Sequence, residues 1–168
     1  MSSLTLLTGA TGFVGRQVLY RLAGRGIPVR AVLREVTRVD SEIEDLCIDV
    51  VRTLDLFSES VKWWEEVFDG VDTVIHLAWF MDPQTYLNSE KNLDCIVGTI
   101  RMAKAAVLQD VRRFVGIGTC LEYEYSDRPV DRQAPLNPVS LYASSKMAVN
   151  LSLRGFFREM ILRSFGVV

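Results

Sequence analysis

The sequence predicts an α/β fold: a doubly wound parallel sheet with helices on both faces. Three observations carry that prediction. A short apolar run, Leu4-Thr5-Leu6-Leu7, leads straight into a glycine-rich turn, Gly9-Ala10-Thr11-Gly12-Phe13-Val14-Gly15. The turn opens a stretch with apolar residues at Phe13, Val14, Val18, Leu19 and Leu22, the spacing of a helix with one buried face. Beyond it, strand-like and helical patterns alternate to the end, which implies crossover connections and parallel strands.

The elements follow in order. Leu4 to Thr8 reads as the first strand and Phe13 to Arg25 as the first helix, punctuated by Gly24 and Gly26. Val29 to Leu33 is the second strand, begun after Pro28, and Cys47 to Arg52 a short third. A helix is expected over Ser58 to Phe68, with Ser58 as its cap and Gly70 just past its end. Val71 to Leu77 is the fourth strand, Asn88 to Leu108 a long helix, and Phe114 to Ile117 the fifth strand. Tyr142 to Arg158 is a further helix after the turn-rich Pro135-Leu136-Asn137-Pro138, and Met160 to Phe165 the sixth strand. The connection left near Arg158-Glu159-Met160 is almost nil, against an ordinary length of ~2–6 residues. A missing loop near 159–160 is therefore expected.

Composition bounds the function. The 168 residues suit one domain, spanning 1–168, that is large enough to bury a sizeable core. Apolar content is 49% and the formal net charge −2, which gives no basic surface for nucleic acid or anionic membrane. No apolar run approaches the ~20 residues of a membrane span. Met1-Ser2-Ser3 leads directly into a strand, so no signal peptide is expected. Cys47, Cys95 and Cys120 are far apart and lack metal-binding spacing, so a reduced, cytoplasmic location is expected.

A Gly-x-x-Gly-x-x-Gly turn between a strand and a helix is the context of a dinucleotide-binding, Rossmann-type fingerprint. Gly9 serves the turn, Gly12 the approach to a pyrophosphate, and Gly15 the contact of helix with sheet. The helix start faces the phosphates with unpaired donors and a partial positive charge. At the end of the second strand, an acidic residue would accept from the ribose 2′-hydroxyl of NAD, whereas arginine suits the 2′-phosphate of NADP. This chain has Val32-Leu33-Arg34, with Arg38 and Arg16 nearby, so NADP(H) is favoured over NAD(H). Asp55-Leu56 follows the third strand, where a carboxylate suits the adenine amino group. His76-Leu77-Ala78 ends the fourth, where a small Ala78 lets a cofactor lie over the strand end. His76, the only histidine, reads as structural.

Two stretches carry the chemistry. Gly118-Thr119-Cys120-Leu121-Glu122-Tyr123 ends the fifth strand, and Tyr142-Ala143-Ser144-Ser145-Lys146 opens the last helix. Tyrosine and lysine four apart share one helix face. A phenol with a pKa near ~10 is a poor proton carrier at neutral pH. The lysine ammonium is expected to favour the phenolate and to donate to a ribose hydroxyl. Thr119 then holds the substrate oxygen while Tyr142 moves the proton.

These motifs resemble the extended short-chain dehydrogenase/reductase family: NAD(P)-dependent epimerases, dehydratases and ketoreductases, mostly of nucleotide sugars. The likeness runs from Thr8-Gly9-Ala10-Thr11-Gly12 to Leu162-Arg163-Ser164-Phe165. It implies Tyr142 as catalytic acid/base, Lys146 as its partner and ribose ligand, and Thr119 as the hydroxyl of the triad. It implies a cofactor site of Gly9, Thr11, Gly12, Phe13, Val14, Gly15, Arg34, Asp55, Leu56, Leu77 and Ala78, completed by Tyr142 and Lys146. The family's 4,6-dehydratases carry Asp-Glu after the catalytic threonine, where this chain has Cys120-Leu121, so dehydration is disfavoured. Cys95 stands where the family often has asparagine, three residues before Gly98-Thr99, and Asn92 takes no catalytic role. Family members of ~300 residues carry a second, substrate-binding lobe, which is expected to be absent from these residues.

The sequence therefore favours a ketoreductase. A 4-epimerase with retained NAD is the alternative, and a non-catalytic NADP-binding or redox-sensing module is the rival of another class. Apolar residues on the two long helices (Ile96, Ile100, Val107, Leu151, Leu153, Phe156, Phe157) suit either the core or a helix-to-helix homodimer.

Overall fold

The computed structural model describes residues 3–35, 41–125, 127, 129–131, 133–159 and 166–167. Strands β1 (Leu4–Thr8), β2 (Val29–Arg34), β3 (Asp49–Thr53), β4 (Val71–His76), β5 (Arg113–Gly116) and β6 (Gly166–Val167) alternate with helices. The helices are α1 (Phe13–Ala23), α2 (Ser41–Asp45), α3 (Val61–Val67), α4 (Lys91–Leu108) and α5 (Leu141–Glu159), and a 3₁₀ turn covers Cys120–Glu122. The sheet order is β3-β2-β1-β4-β5-β6, and every pairing is parallel. This is the Rossmann order, reversing direction between β1 and β4, and a crevice opens there at the carboxyl ends of the strands.

Period-two alternation divides the core between the two faces. Leu6, Val32, Val74 and Phe114 of the sheet face a layer made by Trp64, Phe68, Met102, Leu153 and Phe157 from the side of α3, α4 and α5. Leu7, Ala31 and Leu33 face the opposite way, onto Leu19 of α1 and Ile43 of α2. Helices thus cover both faces, as the alternating pattern requires.

Boundaries shift where side chains decide them. The expected cap Ser58 gives its hydroxyl to the Asp55 carbonyl at 2.8 Å, and Ser60 instead accepts from the Trp63 N–H at 3.1 Å, so α3 starts at Val61. Asn88 and Ser89 are held in a turn on the Thr85 carbonyl, which delays α4 to Lys91. The third strand begins at Asp49 rather than Cys47, because Cys47 stays bound to the end of α2 through its N–H and thiol. The expected strand Met160 to Phe165 lies outside the described residues. The strand found beside β5 is Gly166–Val167, with Val115 opposite Gly166. Of the apolar residues in question on α4 and α5, Leu153 and Phe157 are buried and Ile96, Ile100, Val107 and Phe156 pack against the core. Leu151 is exposed, as are Leu93, Val97 and Leu108 of α4.

Candidate active site

The glycine turn is fixed by two contacts that exclude a side chain. Gly9 has φ +74°, and a Cβ there would meet the Ala78 backbone nitrogen at 2.8 Å. A Cβ on Gly15 would lie 1.9 Å from the Gly9 carbonyl oxygen. The start of α1 is therefore pressed onto the turn, and the turn onto the end of β4. Gly12 occupies the N-cap and no side chain caps the helix. The first N–H groups of α1 are thus left to an incoming anion. Phe13 and Val14 are exposed, 90% and 52%, so what they offer a phosphate is their backbone.

A cleft of about 680 Å³ opens beside this turn. Gly9, Thr11, Gly12, Arg34, Asp55, Leu56, Leu77 and Ala78 line it, together with Trp79, Phe80 and Cys95, residues the motif reading did not place there. Arg34 is exposed at the end of β2. Arg38 lies outside the described residues, and Arg16 donates to the Thr11 carbonyl at 3.3 Å, bracing the turn. Asp55 uses one carboxylate oxygen on the Phe57 N–H, at 3.0 Å. A side-chain-free cradle, an uncapped helix start and an arginine at the far side fit a dinucleotide with its phosphates. Among the described residues no group of histidine, cysteine and carboxylate side chains is set to hold a metal.

The strip under the cleft is locked from below. Thr99 donates its only hydroxyl proton to the Cys95 carbonyl at 2.7 Å, so it must accept from His76 Nε2–H, 3.1 Å away. His76 Nδ1 is then bare and accepts from the Thr8 hydroxyl at 2.8 Å, whose oxygen accepts the Ala78 N–H at 3.2 Å. One directional chain thus ties Ala78 through β1 and β4 to α4, and His76 is structural, as expected. Burial, with the Lys146 charge adding to it, pushes the His76 pKa down to about 3. The unfolded chain therefore takes up this proton first as pH falls, and stability held above pH 6.5 is lost progressively toward pH 3. Because His76 is the only histidine, urea titrations are expected to show a loss of about 1.2 kcal/mol between pH 6 and pH 5. A flat profile there would contradict a neutral, buried His76.

Tyr142 and Lys146 stand one turn apart on α5, both buried. The Tyr142 N–H binds the Leu87 carbonyl at 2.9 Å, docking the loop before α4 onto the start of α5. Thr119, just past β5, hydrogen-bonds the Tyr142 side chain. Its own hydroxyl accepts from the Leu121 N–H at 3.3 Å, while the buried carboxylate of Glu122 accepts the Thr119 N–H at 2.8 Å. Thr119 is thus held by a reciprocal cap across the 3₁₀ turn. Lys146 Nζ donates to the Ile117 carbonyl at 2.9 Å and lies 4.0 Å from the centre of the Trp79 ring. The structure therefore brings Thr119 onto Tyr142 and sets Lys146 one turn further along α5, on the Ile117 carbonyl and the Trp79 ring.

One expectation is corrected. Lys146 was expected to favour the phenolate, yet the Tyr142 pKa is raised. Burial is the main cause; the Thr119 hydrogen bond opposes it, and Tyr86, Glu122 and Cys120 add to it. Lys146 instead faces the Ile117 carbonyl and the Trp79 ring, and burial lowers its own pKa to about 8, with Cys95 and Glu122 opposing. Motif reading also missed Glu122, Trp79, Tyr86 and Asn92, which surround the pair. The Tyr86 ring stands edge-on to Tyr142 at 5.1 Å. Only the acidic residue three after Thr119, a capping-box spacing, was legible in advance.

Fold and cleft define a Rossmann domain built for a dinucleotide, with a hydroxyl–phenol–amine set at its edge. The chain belongs to the NAD dependent epimerase/dehydratase family, whose profile matches residues 5–167. It is 24% identical over 148 residues to the dTDP-6-deoxy-L-talose 4-dehydrogenase (NAD(+)) of Aggregatibacter actinomycetemcomitans, covering 84% of this chain and 50% of that protein. The solved structure of Pal from Bacillus thuringiensis superposes with a TM-score of 0.83 at 22% identity, over 98% of this chain and 54% of that one. The UDP-Glc/GlcNAc 4-epimerase from Campylobacter jejuni gives 0.81 at 19% identity, over 98% and 52%. The chain spans about half the length of these relatives.

Proposed function

We propose that the protein is a nicotinamide-dependent ketoreductase of a nucleotide sugar, with Tyr142 as the acid that protonates the substrate oxygen. The observation that carries this reading is the buried Tyr142 and Lys146 with half-buried Thr119, joined to the dinucleotide cleft through Trp79, which lines the cleft and packs against both Tyr142 and Lys146. NADPH, when bound in the cleft, would supply the hydride. Thr119 orients the carbonyl oxygen, and a phenol with a raised pKa keeps its proton at neutral pH and gives it to the alkoxide as charge develops there. Lys146, with a pKa of about 8, stays mostly charged at pH 7 and supports that alkoxide and a ribose hydroxyl. A phenol held protonated suits reduction better than oxidation. The nucleotide-sugar class comes from the relatives, among them enzymes named for UDP-glucose and for a dTDP-sugar.

Arg34 at the cleft favours NADP(H), although one relative is named for NAD(+). Calorimetric titration is expected to give NADPH a Kd at least tenfold below that of NADH, about 1.4 kcal/mol. Arg34→Ala is expected to erase that ratio while leaving NADH binding unchanged. Equal binding by the wild-type chain would overturn the arginine's role and favour a 4-epimerase that retains NAD.

The proposal includes a homodimer through the exposed Leu93, Val97 and Leu108 of α4 and Leu151 of α5. Light scattering is expected to give twice the 19.0 kDa chain mass, and a monomer at micromolar concentration would contradict it. Three free thiols suit a reducing compartment, and the proposal places the protein in the cytoplasm. Among the described residues no helix is long and apolar enough to cross a membrane.

A further inference from the structure

We propose that Trp79 is a positioning residue for Lys146: its indole, locked by Asn92, is the platform that fixes the ammonium against the Ile117 carbonyl, one helical turn from Tyr142. The inference rests on the reading of Tyr142 and Lys146 as the working pair. Asn92 is fully buried, and both hydrogens of its amide are used, on the Tyr86 carbonyl at 2.7 Å and the Ser89 carbonyl at 2.8 Å. Those two bonds settle which way the amide faces, so Oδ1 must face the indole, and Trp79 Nε1–H donates to it at 2.8 Å. The indole is also held at its edges, by the Phe57 ring at 6.2 Å and the Tyr142 ring at 6.4 Å. A rigid ring face then lies 4.0 Å under Lys146 Nζ, and the Ile117 carbonyl takes one of its protons. A lysine is a long, freely rotating chain carrying a point charge. The aromatic face and the carbonyl together leave it one place to stand. The same asparagine fixes the loop whose Leu87 carbonyl takes the Tyr142 N–H. The groups that act on the amine from its surroundings are Cys95 of α4, Glu122 of the 3₁₀ turn and His76 of β4.

The test uses the full chain labelled with [13Cε]lysine, which gives four signals, from Lys62, Lys91, Lys104 and Lys146. Lys146→Arg assigns the fourth. In the wild-type chain the Lys146 ε-protons are expected to lie upfield of the other three, from the indole ring current, and the amine to titrate near 8. Trp79→Leu is expected to abolish the upfield shift and to raise the titration by about one unit as water reaches the amine. Asn92→Leu, which keeps the indole but removes its acceptor, should move both in the same direction. Leu19→Ala, a core lesion in the opposite layer, should lower Tm and leave the titration in place. An unshifted Lys146 signal in the wild-type chain, or an unmoved titration in Trp79→Leu, overturns the proposal. The first of these needs no variant to fold. Neither readout involves hydride transfer, so failure here is distinct from failure of the ketoreductase reading.

Discussion

Tyr142→Phe is expected to lower hydride transfer by ~10²–10⁴-fold, the range that one general acid supplies, while the Kd for NADPH stays within about twofold. The split follows from where the phenol stands. Its hydroxyl meets Thr119, not the glycine turn or the residues lining the cleft, and the ring itself is packed by Tyr86 and Trp79. Phenylalanine keeps the ring and its packing and removes only the proton. Steady-state rates over a panel of UDP- and dTDP-linked 4-keto sugars, with parallel cofactor titrations, check both halves. Equal loss of cofactor binding would mean that the phenol serves the cofactor site, and unchanged turnover would favour the non-catalytic module.

Gly15→Ala is expected to be more disruptive than the same change at Gly9, Gly12 or Gly98. The added carbon would sit 1.9 Å from the Gly9 oxygen and 2.7 Å from the Gly9 carbonyl carbon. Both obstacles are backbone, so no side chain can turn aside, and α1 has to move off the turn. The expected cost is about 3 kcal/mol, the upper end for an overpacked site, read as a fall in the urea midpoint. Cofactor affinity is expected to fall more than tenfold, because the displaced helix start no longer aims its N–H groups at the phosphates. A stable variant that binds NADPH normally would refute the cradle.

What the sequence made legible is what depends on local spacing. Gly9, Gly12 and Gly15 sit in one turn, so their residue types and intervals reveal the strand-to-helix junction. Tyr142 and Lys146 sit one helical turn apart, so their partnership is visible without a structure. Strand-like and helical stretches alternate along the chain, and that order announces a sheet covered on both faces. What stayed hidden depends on tertiary contact. Asn92 and Trp79 are 13 residues apart and belong to no motif, yet one hydrogen bond joins them under the lysine. The raised Tyr142 pKa arises from burial beneath segments carrying Tyr86 and Glu122, whereas spacing showed only the neighbouring lysine. Ser58 and Ser60 are equivalent as letters, and only the Asp55 carbonyl decides which one caps α3.

On the reading proposed above, this chain moves a hydride between a nicotinamide and a sugar carbon while Tyr142 moves the proton. Deuterium transfer from 4-deuterated NADPH tests it most directly, with the same nucleotide-sugar panel and the product read by mass spectrometry. A sugar heavier by about 1 Da is expected with the wild-type chain and none above background with Tyr142→Phe. Bound cofactor with no deuterium in any sugar, or equal labelling by both proteins, would contradict it.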